Sequence, residues 1–268
     1  MTRPFVLCAD DYAHTPAVSR AILDLAGQGR ISALSCMTAS KHWAEHGPWL
    51  NDVKDKVDIG LHLTLVDEVA LTAPDGKLPG IAALIKQSYL GQLDLGEIET
   101  EMRAQVEAFQ RVMGFLPQHI DGHLHTHALP GIRDVVLKIA GEMTPRPWLR
   151  NISDRLLAIS SRSVAVPKAS FLALLGRGLR KSSARMNTSF SGVYDFTARQ
   201  GSYGALFERF IEQMGARHLI LCHPGETSDA SEHAAARGAE YAFLKSQAFA
   251  DLLARHDLRI GRFVETAA

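Results

Sequence analysis

Short apolar runs rich in β-branched residues alternate along this chain with longer stretches of helical period, and no other feature restricts the fold so tightly. PFVLCA (4–9), SALSCMT (32–38), VDIGLHLTL (57–65), QHIDGHLH (118–125), WLRNI (148–152), SFSGVYDF (189–196), HLILCHP (218–224) and LRIGRFV (258–264) read as strands. After the first, PAVSRAILDLAGQG (16–29) places Ala17, Val18, Ala21, Ile22 and Leu25 on one helical face and stops at Gly29. WAEHGPWLNDV reads as a broken helix. Ile98, Met102, Val106, Phe109 and Met113 recur every three or four residues, the clearest amphipathic helix here, ended by Gly114. A helix over 131–143 buries Ile132, Val135, Val136 and Ile139, and further helices are expected at about 168–180, 203–214 and 234–254. Strands separated by helices pair in parallel. With no Ser/Gly/Pro-rich linker, the pattern predicts an α/β chain with one domain over residues 1–268, a single-domain (β/α) barrel, TIM-like or a distorted relative of it.

Residues 66–96 break the rhythm. Pro74, Gly76, Pro79, Gly80, Gly91 and Gly96 surround one modest apolar stretch, which reads as a functional loop of the lid kind.

Composition narrows the function. Lys and Arg total 29, as do Asp and Glu, so no overall field favours nucleic acid or an anionic membrane, and the expected partner is small. No apolar run approaches the roughly 20 residues of a spanning helix. The start, MTRPFVLCADD, lacks the long apolar region of a secretory signal, so a cytoplasmic location is expected. Cys8, Cys36 and Cys222 are odd in number, scattered and set in apolar runs, which points to buried reduced thiols. Between Arg146 and Arg185 nine Lys or Arg stand against one acid, Asp154. This segment reads as a solvated surface or subunit contact, with a site for an anionic part of a substrate as the alternative and no catalytic role.

Four places carry chemistry. On a strand His123, His125 and His127 would point one way together with Asp121, and closely spaced imidazoles suit a divalent ion; the plain alternative is a set of hydrogen-bonded strand-end histidines. In CADDY, Asp10 and Asp11 follow an apolar strand, and a turn there can bring both to one mouth; helix capping is the alternative. His62 lies opposite Ile59, Leu61, Leu63 and Leu65, so it faces something polar: a hydrogen-bonded core partner or an ion. His223 ends LILCH before Pro224 and Gly225 turn the chain, a plausible acid/base. In a βα barrel the functional groups gather at the C-terminal ends of the strands, and all four places fall there.

CADDY, GRISALSCM, DIGLHLTL, HIDGHLHTH and LCHPGE, in that order from about residue 4 to 226, resemble the YdjC-like carbohydrate deacetylases, the group of chitooligosaccharide and hopanoid-biosynthesis-associated deacetylases. Tyr12-Ala13 departs from the Phe-Gly that many members carry after the paired Asp, a difference in the first loop. The resemblance implies a hydrolase that removes acetyl from an N-acetylated sugar with a divalent metal, magnesium or zinc, held by Asp11, His62 and one of the HLHTH histidines. His125 is the first choice, with His123 and His127 as alternates. Asp10 then matches the general base and His223 the acid, and a homodimer is what the family suggests. NTSFSGVYDF (187–196) also looks like a family segment, with no role evident. For a sugar, Tyr12, Trp43 and residues 66–96 are candidate contact surface, although Trp43 equally suits a helix anchor.

Two other readings compete. DGHLHTH also resembles the His-x-His metal motif of amidohydrolases and phosphoesterases, where it ends the first strand instead of following about 120 residues. A catalytically silent sugar-binding barrel would have lost a ligand, yet every expected position is filled.

Overall fold

Strand β1 (Arg3–Tyr12) is buried from Phe5 to Tyr12 on both faces, as a central strand of a parallel sheet covered by helices must be. The computed structural model describes residues 2–73, 76–198, 201–228 and 233–266. Each expected strand is present, most of them shorter than read: β2 (Ala33–Cys36), β3 (Asp58–Leu63), β4 (His119–Gly122), β5 (Trp148–Leu149), β6 (Ser189–Ser191), β7 (His218–Cys222) and β8 (Leu258–Ile260). They form one sheet in the order β5-β4-β3-β2-β1-β7-β6, and its pairings are parallel.

The sheet is a distorted barrel. In a regular eight-stranded barrel strand eight would sit between strands seven and one; here Val6–Ala9 of β1 pair directly with Leu219–Cys222 of β7. β8 pairs only with the first residues of β1, Arg3–Phe5. The sheet curls until its outer strands nearly meet. A parallel bridge joins Leu149 to Met186, and the Asn187 side chain locks the seam: the Asn151 backbone N–H donates to Asn187 Oδ1 at 2.8 Å and Asn187 Nδ2 donates to Asn151 O at 2.7 Å. The start of NTSFSGVYDF thereby acquires a role as the clasp between β5 and β6.

α1 (Pro16–Gly27) starts at Thr15, whose hydroxyl accepts from the Val18 N–H at 3.2 Å, and the chain leaves it through left-handed Gly29, φ 67°. α2 (Trp43–His46) runs into a short 3-10 stretch, Gly47–Asp52, as the broken pattern implied. Trp43 is buried, stacks on Phe109 at 5.9 Å and donates its indole N–H to Ala108 O. It anchors a helix. Tyr12 is also buried, its hydroxyl donating to His46 O at 2.7 Å, so neither ring offers surface to a sugar.

Residues 66–96 are more than a loop: α3 (Ile81–Leu90) lies inside them, between Gly80 and left-handed Gly91. The apolar run IAALI was the signal, diluted by its glycine neighbours. Pro74 lies outside the described residues. α4 (Leu95–Met113) follows, capped by Asp94 and ended by Gly114, φ 76°, and α5 (Ile132–Glu142) matches its expected span. The basic segment holds two helices, α6 (Leu156–Arg162) and α7 (Val166–Gly176), where one was expected. After α8 (Tyr203–Ile211), the stretch expected as one helix is two, α9 (Ala234–Lys245) and α10 (Gln247–Arg255). Ser246 separates them, its side chain accepting from the Phe249 N–H.

One departure reshapes the site. β4 stops at Gly122, and His123–Ala128 form a 3-10 turn in which Leu124 (φ 49°) and His125 (φ 62°) are left-handed. The three histidines therefore do not alternate along a strand and do not share a face. Gly122 permits the tight entry: a Cβ there would lie 2.9 Å from the backbone nitrogen of His127.

Candidate metal centre

At the C-terminal end of β1 the pairing with β2 slips between Ala9 and Tyr12, and Asp11 adopts a left-handed conformation, φ 68°. On a regular strand Asp10 and Asp11 would face opposite ways. The irregularity turns both carboxylates into one cavity of about 460 Å³, whose wall also includes His62, His123, His125 and His223. A larger cavity, about 760 Å³, lies between residues 65–93 and the first turns of α4, but no histidine lines it.

Asp11 Oδ1 lies 3.0 Å from His123 Nδ1 and 3.3 Å from His62 Nε2. One oxygen and two imidazole nitrogens thus fall within 4.8 Å of one another, a donor set that suits a divalent ion. The second oxygen, Oδ2, is taken by the Arg237 guanidinium at 2.5 Å. Burial opposes the charge on Asp11, but Arg237 and the His123 and His62 rings hold it well below the ordinary carboxylate range. His62 is oriented from behind, with Nδ1 2.6 Å from Asp121 Oδ1, which leaves Nε2 toward the cavity. A carboxylate behind a histidine in this way fixes ring orientation and raises donor strength. Although burial disfavours a charged His62, the surrounding Asp121, Asp10 and Asp11 push its pKa up to about 10, so the local field favours positive charge at this point.

Of the three clustered histidines, the structure sets His123, and not the first-choice His125, against Asp11 and His62. The left-handed turn carries His125 away: its ring meets Phe190 edge-on at 5.8 Å, and its Nδ1 has no hydrogen-bond partner. It still lines the cavity. His127 is buried outside the cavity, its Nε2 3.0 Å from Arg150 O.

Asp10 is gripped by Arg150, whose Nη1 and Nη2 each lie 2.5 Å from one of its oxygens. Arg150 is fully buried and also pairs with Asp121 and reaches Cys8 Sγ at 3.1 Å. In two other clusters with ligand chemistry, Cys8–His119–Asp121 and Asp10–His62–Asp121, the carboxylate oxygens are already taken, those of Asp10 by Arg150 and those of Asp121 by Arg150 and His62 Nδ1, whereas Arg237 leaves Oδ1 of Asp11 facing the imidazoles, which singles out the Asp11 cluster. Arg150 is one of the nine bases in the segment read as having no catalytic role. The signal that marks it was an arginine inside the apolar strand WLRNI. The described cysteines are free and buried, as expected.

His223 follows β7 and lines the same cavity. Burial pulls its pKa down to about 4, so the ring is neutral in the resting site. Its backbone N–H donates to Glu240 Oε2 at 2.6 Å, and Glu240 Oε1 accepts from the Tyr194 hydroxyl at 2.6 Å. Burial pushes Glu240 up to about 7. Arg237 and Glu240 are three residues apart on α9, hence neighbours on one face. One helix therefore steadies both Asp11 and His223. The sequence offered no mark for this pair beyond that spacing.

A family model described as YdjC-like protein matches residues 4–255. A chitooligosaccharide deacetylase of Yersinia pestis is 27% identical over 274 residues, covering 99% of this chain and all of the relative. A carbohydrate deacetylase of Danio rerio is 30% identical over 149 residues, 51% of this chain and only 46% of that protein. Among solved structures, an Enterococcus faecalis protein with a proposed role in cellobiose-phosphate cleavage superposes with TM-score 0.72 at 20% identity, covering 99% of both chains. The chitin deacetylase of Colletotrichum lindemuthianum superposes with TM-score 0.51 at 14% identity, covering 99% of this chain and 88% of that one. Both structures share this fold.

Proposed function

The chain belongs to the YdjC-like family, and from that premise we propose that it is a metal-dependent carbohydrate deacetylase, hydrolysing the acetamide of an N-acetylated sugar. The observation that carries the reading is the Asp11–His62–His123 donor set at the wall of a cavity it shares with Asp10 and His223. Asp11, His62 and His123 would hold one divalent ion, His123 taking the place first given to His125. Such an ion supplies Lewis-acid activation of water and charge stabilisation for the acetyl oxygen. One carboxylate and two imidazoles admit magnesium, zinc, manganese or iron.

The chain's own groups do the rest. Asp10, held at both oxygens by Arg150, accepts a proton as water adds to the acetyl carbon. The C–N bond then breaks and the sugar nitrogen takes up a proton from His223, leaving acetate and a free amine. Because burial pulls the His223 pKa down to about 4, the ring draws the proton it gives to the sugar nitrogen from solvent water as negative charge develops beside it, and Asp10 returns its own proton to solvent when acetate leaves. Arg237 keeps Oδ2 of Asp11 occupied so that Oδ1 faces the imidazoles.

The test is acetate release from a panel of N-acetylated sugars by metal-free and metal-restored protein. Release that depends on the restored ion supports the reading; hydrolysis of a phosphate monoester in its place would replace it. Asp10→Asn should lower turnover by a factor on the order of 10² to 10⁴ while metal binding stays intact. Full turnover by that variant at matched metal loading would remove Asp10 from the reaction.

A further inference from the structure

We propose that Phe196 is the residue that orients the His223 imidazole, so that the aromatic end of NTSFSGVYDF serves proton delivery to the departing sugar amine. The hold on the ring stands on geometry alone; its use in proton delivery rests on the deacetylase reading above.

Other histidines around the site take their direction from polar partners: His62 Nδ1 meets Asp121, His123 Nδ1 meets Asp11, and His127 Nε2 meets Arg150 O. His223 differs. Its Nδ1 is buried and, among the described residues, without a hydrogen-bond partner. What is fastened is its backbone, through the N–H that donates to Glu240 Oε2 at 2.6 Å. A backbone anchor leaves both side-chain torsions free, and a proton donor whose ring swings misses the nitrogen it serves. Phe196 supplies the missing restraint. Its ring lies 4.9 Å from that of His223, centroid to centroid, at an interplanar angle of 59°, and is itself stacked on His233 at 4.2 Å and 8°. All three rings line the cavity that Asp11 and His123 share. A cation within about 6 Å of an aromatic centroid is attracted to the ring, so the same contact suits the imidazolium that forms on the way to C–N cleavage.

The backbone at this position is unusual. Phe196 is left-handed, φ 52°, a region that a bulky side chain seldom enters and that persists where the surroundings enforce it, most often at functional sites. The surroundings here are specific. Gly192, φ 104°, lets the chain pass over β7 at a point where a Cβ would run into the Leu221 backbone, two residues before His223. The Tyr194 hydroxyl donates to Glu240 Oε1 at 2.6 Å, the carboxylate whose other oxygen takes the His223 N–H, and the Tyr194 carbonyl accepts from Lys168 Nζ at 3.2 Å. The Tyr194 and Phe196 rings lie 5.1 Å apart. One short segment thus governs His223 twice: its backbone through Tyr194 and Glu240, its ring through Phe196. An aromatic kept for packing alone turns into the core, as Phe207 and Phe210 do; Phe196 is half-buried at the cavity wall.

The test compares the full, zinc-loaded chain with its Phe196→Leu and Phe196→Tyr variants. Nitrogen-15 NMR of the histidine rings, with the His223 signals assigned by their loss in His223→Gln, should show one His223 tautomer in wild type and in Phe196→Tyr. In Phe196→Leu it should show an average of two, because a released ring meets water at both nitrogens. An unchanged His223 signal in Phe196→Leu would overturn the hold on the ring, whatever the activity. On an N-acetylated sugar, Phe196→Leu should lower kcat by a factor on the order of 10 to 100 with KM within about twofold, and Phe196→Tyr should recover most of the loss. 4-Nitrophenyl acetate, whose phenolate leaves without taking up a proton, should lose no more than about threefold in Phe196→Leu. Full amide turnover by that variant, or equal losses on amide and ester, would overturn the part in proton delivery; a matching loss of zinc affinity would make Phe196 a support of the metal centre and overturn it equally. Absence of metal-dependent acetate release by wild type would instead sink the deacetylase reading, and the NMR comparison would still decide whether Phe196 holds the ring.

Discussion

At Asp11 the left-handed backbone, φ 68°, lets one carboxylate face two imidazoles through Oδ1 and a guanidinium through Oδ2. Its neighbour Asp10 faces a different cation, Arg150, so two adjacent acids of identical chemistry are set to different tasks by which arginine each meets. The acids and His62 were legible because charged groups seldom sit within apolar strands without a partner. The pairing of each aspartate with its arginine was not, since Arg150 and Arg237 reach Asp10 and Asp11 across more than a hundred residues. His123→Ala should weaken divalent-metal affinity by a factor on the order of 100, whereas His125→Ala should change it by no more than a few-fold; titration calorimetry with zinc or cobalt distinguishes them, and the reverse ranking would restore His125. Arg237→Met should reduce the same affinity by about tenfold by freeing Asp11 to rotate, with Arg237→Lys recovering part of it. Unchanged affinity in Arg237→Met would leave that residue with a structural role alone.

Among the elements, the turn after β4 decides most. A strand continued through HLHTH would have aimed three imidazoles one way; Gly122 and two left-handed residues fold it into a 3-10 turn that sends His123 to Asp11, His125 toward Phe190 and His127 to Arg150 O. Period-two reasoning failed here because the alternation of histidines is a property of the letters, while the turn goes with contacts such as that of His127 with the Arg150 backbone just after β5. Gly122→Ala tests the turn. The added Cβ would crowd the His127 backbone nitrogen at 2.9 Å, so the variant should lose about 1–3 kcal/mol of stability and, measured on the protein that remains folded, about tenfold in metal affinity. Wild-type affinity would show that His123 does not need this turn. α9 works the other way, as a helix whose buried Arg237 and Glu240 serve the site rather than the core.

For the whole molecule, acid sensitivity follows from where the histidines are buried. Burial pulls His119 down to about 4 and His218 well below its ordinary value. The native state therefore binds fewer protons than the unfolded chain between the unfolded value near 6.5 and the folded one. The stability these two rings contribute is fully present above about pH 6.5 and is lost as pH falls through that value toward the folded-state one. Urea midpoints at pH 7, 6 and 5 should decline with increasing slope, and His218→Gln should flatten the decline; a constant midpoint would mean these rings are already protonated in the folded state. On the same scale, the chain itself determined that strands and helices alternate, that the strands pair in parallel, and that acids and imidazoles gather at their C-terminal ends, because side-chain period and turn residues are local properties. Tertiary structure alone decided that β7 lies against β1, that Arg150 and Arg237 divide the two aspartates between them, and that His123 is the histidine facing Asp11. Those outcomes depend on distances between segments far apart in sequence, and on a curled sheet whose closure no local pattern encodes.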